Sequence, residues 1–312
     1  MDISNKYDEF INLGLIQTTI DSKVAWPCTN SSPRMTDNQD SHVWLEIRKA
    51  FRSMQDAGMV PNVTLLPELS LPRTRIREFE SLVGAFNTIA IAGVDYQLNE
   101  TDKIAMNQGT VFVPRNFFKG HPSRYCTRIQ FGKSYASPGE KRALQNLNPA
   151  WSFKGDGNVY VFDCERFGRF GVSICWDFMD IERAMMYRGQ LQHLFVLAYN
   201  RDLSMFRSLA ESLSRTVFCN VVICNTGHYG GSLVVAPYYE APKRTIYAHN
   251  GSRLFTSQVI QLPVRDLVIA QQKEVPLISE KKETKMFKDP PPGIFFRQNL
   301  QLQPINIPEL SN

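Results

Sequence analysis

The sequence lacks the features that define several large classes of protein. No stretch of 18 consecutive apolar residues occurs, so no transmembrane helix and no membrane association are predicted. The amino terminus has no basic segment followed by an apolar block, and a signal peptide is therefore not expected. The net charge is only +5, from 35 basic and 30 acidic residues, without a long basic run. A nucleic-acid partner is consequently not expected.

The cysteines show no metal-binding or redox spacing. All six are scattered, and no C-x-x-C pair exists. Zinc sites and thioredoxin-like motifs commonly use such pairs, so we expect neither a zinc site nor a redox motif. Without a secretion signal, reduced thiols and a cytoplasmic location are predicted. Cys219 and Cys224 stand in an apolar segment and are predicted to lie in the core.

The composition is that of a folded globular domain. The 312 residues are 43% hydrophobic and 21% charged, and a chain of this length can bury a large core. Strand-like and helix-like segments alternate, which predicts an α/β fold. The clearest helix covers residues 41–57, after a predicted loop over residues 26–40. From Gln271 onward, prolines and charged residues predict an extended arm, so residues 1–270 form the expected domain and 271–312 its tail.

Residues 168–180 have the pattern expected around a nucleophile. Phe170 to Ile174 is predicted to be a buried strand, Cys175 ends it, and Asp180 is the expected N-cap of the next helix. A cysteine on a strand-to-helix turn can lie where backbone N–H groups converge and favour its thiolate. The alternative is that Cys175 is one more small core residue. We expect it to be the one reactive cysteine.

Four segments together resemble the nitrilase, or carbon–nitrogen hydrolase, superfamily. Residues 171–177 (Gly-Val-Ser-Ile-Cys-Trp-Asp) resemble its cysteine motif, and residues 65–69 (Leu-Leu-Pro-Glu-Leu) its glutamate motif. Residues 131–140 resemble its lysine motif with a trailing second glutamate, and residues 225–232 its late Asn…Gly…Gly-Ser segment. The resemblance covers about residues 12–267 and implies a four-layer α-β-β-α sandwich. Periodicity alone predicts α/β but not four layers.

The resemblance implies a catalytic role for each motif. Cys175 would attack the carbon of an amide or a nitrile, and Glu68 would act as the general base. Lys133 would stabilise the developing oxyanion together with the backbone N–H of Trp176. Glu140 would orient the lysine or assist the base. The expected activity is hydrolysis of non-peptide C–N bonds through a thioester-type intermediate, and neither a metal nor an organic cofactor is implied.

Two lysines compete for the family's lysine position. Lys133 precedes Pro138 and Glu140 at spacings close to those of the family. Lys119 stands in Phe-Phe-Lys-Gly-His-Pro, and its Lys-x-His order also occurs in relatives. Lys133 is the preferred candidate and Lys119 the alternative. Either could instead be an ordinary solvated lysine.

Substrate contacts are expected at the end of the strand that follows the cysteine helix. Tyr199 and Asn200 occupy this position, where contacts of the family often lie, although they could be ordinary strand-end residues. The expected partner is a small amide or nitrile.

Two other functions stay open. A papain-like hydrolase would need a histidine partner, and none of the five histidines lies in a recognisable motif: His42, His121, His193, His228 and His249. A catalytically silent module could use the same fold for assembly or regulation, including as part of a larger protein.

A homodimer or larger homo-oligomer is also expected. Relatives pair through helices near the cysteine, and the segment from Asp180 to Arg188 contains Met185, Met186 and Tyr187. These residues are more apolar than a single helical stripe needs, and methionine-rich surfaces are common at interfaces. Alternatively, these side chains face the core of their own subunit.

Overall fold

The computed structural model describes residues 6–119, 122–272, 286–294 and 303–307. Its first sheet is built around three parallel strands, β1 to β3, and is extended by antiparallel neighbours. The strand order is β13-β1-β2-β3-β4-β5, with β6 beside β4. These strands are β1 (Phe10–Gln17), β2 (Val63–Leu71), β3 (Ile89–Asn99), β4 (Ile104–Pro114), β5 (Cys126–Gly132), β6 (Ser152–Phe153) and β13 (Thr256–Pro263).

The second sheet is likewise built around three parallel strands, β8 to β10. Its order is β12-β11-β10-β9-β8-β7-β14. These strands are β7 (Val161–Asp163), β8 (Arg169–Ile174), β9 (His193–Ala198), β10 (Asn220–Asn225), β11 (Leu233–Val235), β12 (Thr245–Ala248) and β14 (Ile305–Asn306). Every residue of β2, β9 and β10 is buried, as expected for parallel strands covered on both faces.

Helices cover the outer face of each sheet. The described helices are α1 (Ser22–Ala25), α2 (Asp37–Asp56), α3 (Ile76–Phe86), α4 (Pro138–Gln145), α5 (Ile181–Met186), α6 (Leu203–Leu213) and α7 (Arg265–Gln272). One apolar core joins the inner faces of both sheets and extends beneath α5 and α6, and a second lies beneath α2 and α3. The predicted α/β fold and its four-layer arrangement are therefore confirmed.

Several local predictions are wrong at element boundaries. Helix α2 begins at Asp37 rather than Ser41, because the Thr36 hydroxyl accepts a hydrogen bond from the Gln39 N–H and caps it earlier. Helix α4 was not predicted, although Ser137 and Glu140 form a capping box with Pro138 at its start. The apolar stripe of Met205, Leu209, Leu213 and Val217 predicts a helix over residues 204–217. Helix α6 instead ends at Leu213, where a π-helical turn, Ser214–Phe218, follows it.

The predicted burial of two cysteines is confirmed, since Cys219 and Cys224 are fully buried. The methionine-rich segment near Cys175 mostly faces its own subunit. Tyr187 is buried and donates its hydroxyl proton to main-chain oxygens, and Met185 packs partly against the core, whereas Met186 is exposed. These contacts account for two of the three side chains without a partner subunit.

The expected tail is described only in part. Residues 273–285, 295–302 and 308–312 lie outside the described residues. Helix α7 crosses the expected boundary at residue 271, and the Gln271 side chain donates hydrogen bonds to the carbonyls of Leu191 and Phe218. Strand β14 adds to the edge of the second sheet beside β7. The division at residue 270 stays a prediction. None of the described helices has the length and apolar character needed to cross a bilayer.

Candidate active site

A buried lysine lies between two carboxylates where the first sheet meets the cysteine turn. Lys133 directly follows β5, and its Nζ lies 2.7 Å from Glu68 Oε1 and 2.6 Å from Glu140 Oε2. Asn107 Nδ2 donates to the same two carboxylates, at 2.8 Å and 2.9 Å. The Tyr96 hydroxyl donates to Glu140 Oε1 at 2.9 Å. The group formed by Glu68, Lys133, Glu140, Asn107 and Tyr96 is called the charged cluster below.

An irregular backbone segment in β2 places the Glu68 side chain in the charged cluster. Glu68 lies within β2, where pairing with β3 is interrupted between Leu66 and Leu71, and Leu69 has φ 56°. A Cβ at Gly93 of β3 would lie only 2.5 Å from the Glu68 Cα. Glycine at 93 therefore lets β3 approach the irregular part of β2 that presents the carboxylate.

The charged cluster is stable only as a unit, because burial penalises every charge in it. Burial alone would lower the pKa of Lys133, but the charges of Glu68 and Glu140 outweigh it and raise this pKa well above its ordinary value. Burial likewise acts to raise the pKa of Glu140, and Lys133 outweighs it, so this pKa is lowered. Lys133 and Glu140 are therefore both ionised at neutral pH.

Cys175 lies beside this cluster in a strained backbone conformation. It has φ 46°, follows β8 directly, and begins the 3-10 segment Cys175–Met179. A left-handed conformation in a residue other than glycine costs free energy and is common at functional sites. The side chain is buried, and Glu68, Lys133 and the Tyr199 N–H are the groups that act on its pKa.

The resting form of Cys175 is a protonated thiol next to a carboxylate. Burial is the main cause that raises the pKa of Cys175 well above its ordinary value, and the Glu68 charge adds to it. The positive charge of Lys133 acts in the opposite direction. The Tyr199 N–H also donates to Glu68 Oε2 at 2.9 Å and so holds this carboxylate in place. A thiol with a positioned base is the arrangement that a nucleophile requires.

Asp177 connects the cysteine turn to the segment after Lys133. Its carboxylate accepts hydrogen bonds from the backbone N–H groups of Ser134, at 2.7 Å, and Tyr135, at 2.9 Å. Burial raises the pKa of Asp177 to about 6. Cys175 and Lys133 therefore sit on two backbone segments that are fixed to each other.

The structure brings together four of the predicted catalytic residues and leaves the alternative lysine elsewhere. Glu68, Lys133, Glu140 and Cys175 meet in one place. Lys119 is exposed in the turn Phe117–Lys119, which follows the Pro114 end of β4. Lys133 lies at the opposite end of the same strand pair, where Gln108 is paired with Gly132.

The predicted substrate contacts make mainly structural hydrogen bonds. The Tyr199 hydroxyl donates to the Ile20 carbonyl at 2.8 Å and accepts from the Ser22 N–H at 2.9 Å. The Asn200 N–H donates to Asn225 Oδ1, and Asn225 Nδ2 donates back to the Asn200 carbonyl. Trp176, next to Cys175, is 38% exposed. A substrate role for Trp176, Tyr199 and Asn200 stays a prediction.

Three contributors were missed in the sequence: Asn107, Tyr96 and the carboxylate of Asp177. Asp177 belongs to the cysteine motif quoted above, and a carboxylate just after a buried turn was an available signal. Asn107 and Tyr96 stand in ordinary strand sequence, and only the pairing of β3 with β4 brings them to Glu140.

An aromatic side chain from the segment before α2 covers one side of the charged cluster. The ring of Trp26 packs edge-on against Tyr96, with centroids 5.9 Å apart, and against Tyr199, at 6.3 Å. Buried Asp95 fixes this segment, because it accepts hydrogen bonds from Trp26 Nε1 at 2.9 Å and from the Met35 N–H at 3.0 Å. Both rings that Trp26 contacts belong to residues that hold Glu68 or Glu140.

The anchoring by Asp95 should give a defined pH dependence of stability. Burial raises the pKa of Asp95 to about 6 from 3.8. Since this pKa is raised on folding, the contribution of Asp95 to the free energy of unfolding is largest below the unfolded pKa and falls as pH rises through about 6. We expect the melting-temperature advantage of the parent over Asp95→Asn to shrink between about pH 5 and about pH 7.5. An advantage that grows over this interval would contradict the assignment.

No group of three or more histidine, cysteine, aspartate or glutamate side chains in the described part of the chain is arranged to hold a metal ion.

Comparisons with known proteins find similar solved structures but no similar sequence. No family model matches the sequence, and no curated protein matches it. Nit3 of Saccharomyces cerevisiae, described as a member of branch 10 of the nitrilase superfamily, superposes with a TM-score of 0.58 at 16% identity. The alignment covers 91% of this chain and 99% of Nit3.

An amidase from Nesterenkonia sp. has a TM-score of 0.56 at 12% identity, with 83% of this chain and 93% of the amidase covered. One mutant of the Nesterenkonia sp. AN1 amidase carries the acetamide moiety of fluoroacetamide covalently on its active-site cysteine. Its structure has a TM-score of 0.56 at 13% identity, and the alignment covers 84% of this chain and 94% of the amidase chain. These likenesses show that the chain has the nitrilase fold, and the resemblance seen in the sequence is confirmed at that level.

Proposed function

We propose that the protein is a cysteine-dependent hydrolase that cleaves non-peptide C–N bonds of a small amide or nitrile. The observation that carries this proposal is the burial of Cys175 together with the Glu68–Lys133 ion pair, whose two charges both act on the thiol. These three residues place a nucleophile, a base and a cation within one water-poor site. The amidase chemistry of a structural neighbour supports the same class of reaction.

In the first step, Glu68 removes the thiol proton as Sγ attacks the carbonyl carbon of the amide. The negative charge that develops on the substrate oxygen is stabilised by Lys133 and by the first N–H groups of the 3-10 segment, which have no partner within it. Glu68 then returns the proton to the departing amine, and an acyl thioester remains on Cys175. A nitrile would give a thioimidate by the same attack.

In the second step, water replaces the amine. Glu68 removes a proton from this water, hydroxide adds to the thioester carbon, and the Cys175 thiolate leaves and regains a proton. Glu140 does not react in this scheme. It holds Lys133 through the 2.6 Å contact and is itself held by Tyr96 and by the Ser137 N–H.

The structure favours this base over a papain-like histidine. The groups that act most strongly on the Cys175 thiol are Glu68, Lys133 and the Tyr199 N–H, and none of the described histidines is among them. His193 is buried against the Phe167 carbonyl and Asn220 instead. His121 lies outside the described residues.

The strained cysteine supports an active enzyme over a silent module. Cys175 is held at φ 46° beside three ionisable side chains, and assembly alone does not require such a strained conformation. The self-association expected from the sequence and the cytoplasmic location stay predictions.

A screen by intact mass tests the proposal. The full chain is incubated with a panel of small amides and nitriles and sampled rapidly. At least one compound should add an acyl or imidoyl mass to Cys175, located by peptide mass, and then release it as the acid. A panel that leaves Cys175 unmodified while amine release is observed would contradict covalent catalysis. No adduct and no turnover from any compound would favour the silent module.

A further inference from the structure

A second site, independent of the proposed activity, lies at the opposite end of helix α6. Helix α6 begins at Leu203, close to Asn200, and has 11 residues, so its carboxyl end lies about 16 Å from its amino end. There the π-helical turn, strand β11 and the short 3-10 helix Ala241–Lys243 surround a cavity of about 200 Å³. We call it the arginine cavity; it is lined by Glu211, Ser214, Arg215, Val235, Ala236, Ala241, Arg244 and Thr245.

Backbone irregularities create this cavity. The π-helical turn contains Arg215 and ends at Phe218, which has φ 64°. The β11–β12 pairing shifts register between Val234 and Val235. π-helical turns and β-bulges often accompany functional sites, because they re-aim side chains at the cost of regular hydrogen bonding.

Two arginine side chains line the arginine cavity, and among the described residues neither forms an ion pair with a carboxylate. Arg215 Nε is buried and has no hydrogen-bond partner. Arg244 is held in place, since its Nε donates to the Tyr238 carbonyl at 3.1 Å and its Nη2 to the Tyr239 carbonyl at 3.0 Å. Burial lowers the pKa of Arg215, and the charge of Arg244 lowers it further. The two cations therefore repel each other as they stand.

A helix end explains only part of this arrangement. Arg215 follows the carboxyl end of α6, where a positive charge is favourable. This does not account for Arg244, which comes from a different segment and has the same charge. An anion between the two groups would relieve their repulsion.

We propose that the arginine cavity binds a phosphate group. A phosphate carries about 1.5 to 2 negative charges at neutral pH, which match two guanidinium groups better than the single charge of a carboxylate. The cavity volume is far above the roughly 15 Å³ that admits one water molecule. Glu211 is exposed on the rim, and its carboxylate opposes the anion.

Calorimetric titration of the full chain with inorganic phosphate tests the site, with acetate at matched ionic strength as the comparison. Phosphate should bind and acetate should bind markedly less. Arg215→Gln should weaken phosphate binding at least about tenfold, because it removes a charge-assisted hydrogen bond. Glu211→Gln should strengthen it by removing an opposing charge. Arg207→Gln, on the same helix but outside the cavity lining, is the matched control and should change nothing.

Three results would overturn the proposal: no phosphate binding by the parent, equal binding of acetate, or unchanged affinity in Arg215→Gln. A melting curve checks that this variant folds. If it does not, Glu211→Gln still decides, because unchanged or weaker binding by that variant contradicts the site. Titration with a phosphate monoester, glycerol 3-phosphate, then separates two sources of the ligand. Tighter binding than inorganic phosphate assigns the phosphate to a metabolite, and equal or weaker binding assigns it to the free ion.

Discussion

Replacing Cys175 with alanine is expected to abolish turnover and the covalent adduct while leaving the protein folded. Among the described cysteines with a shifted pKa, Cys175 is the one on which Glu68 and Lys133 act. Removing a nucleophile costs about a millionfold in rate in enzymes that depend on one. The change removes one buried sulfur, so its effect on the free energy of unfolding should be at most about 1–2 kcal/mol. The measurement is adduct mass and amine release, with any compound that the parent accepts.

Cys28→Ser is the matched control for this substitution. Cys28 is the one exposed cysteine among the described residues, whereas Cys175 is buried and its pKa is raised. A general alkylating reagent is therefore expected to modify Cys28 first, and a substrate-like compound is needed to test Cys175 as the proposed nucleophile. Cys28→Ser should keep full activity and the full adduct. An adduct that persists in Cys175→Ala and disappears in Cys28→Ser would place the nucleophile elsewhere.

The site residues predicted from the sequence are those that lie within short sequence motifs. Cys175 ends a strand and Glu68 follows a short apolar run, and each lies in a short motif that resembles one of the nitrilase superfamily, so both were predicted from neighbouring residues. The sequence also contains the capping box of Ser137 and Glu140, which explains how Glu140 is fixed. That signal was overlooked because the region had no clear apolar period.

The remaining part of the site depends on contacts between distant segments. Asn107 reaches Glu68 across 39 positions of sequence, and the Tyr199 N–H reaches it across 131. Main-chain donors of this kind leave no trace in residue type, since any residue except proline carries one. The arginine cavity is similar, because Arg215 and Arg244 come together only through the π-helical turn and the bulge in β11.

Replacing Lys133 with methionine is expected to reduce the rate of adduct formation by about a hundred- to a thousandfold, the usual cost of one oxyanion donor. From the sequence alone, loss of this lysine would be expected to leave the fold intact. The structure changes that expectation, because Lys133 is buried between Glu68 and Glu140. Removing one partner of a buried ion pair costs about 3–5 kcal/mol of unfolding free energy. The variant Lys133→Met is therefore expected to change both the rate of adduct formation and the free energy of unfolding.

The double variant Lys133→Met/Glu140→Gln separates the two effects. It removes one positive and one negative charge, so the cluster keeps the net charge of the parent. Denaturant unfolding should show that it recovers most of the stability lost in Lys133→Met, while adduct formation stays slow. Lys119→Ala is the matched surface control and should alter stability by about 0.5 kcal/mol or less, with activity unchanged. A stable, fully active double variant together with an inactive Lys119→Ala would transfer the oxyanion role to Lys119 and leave Lys133 as a purely structural cation.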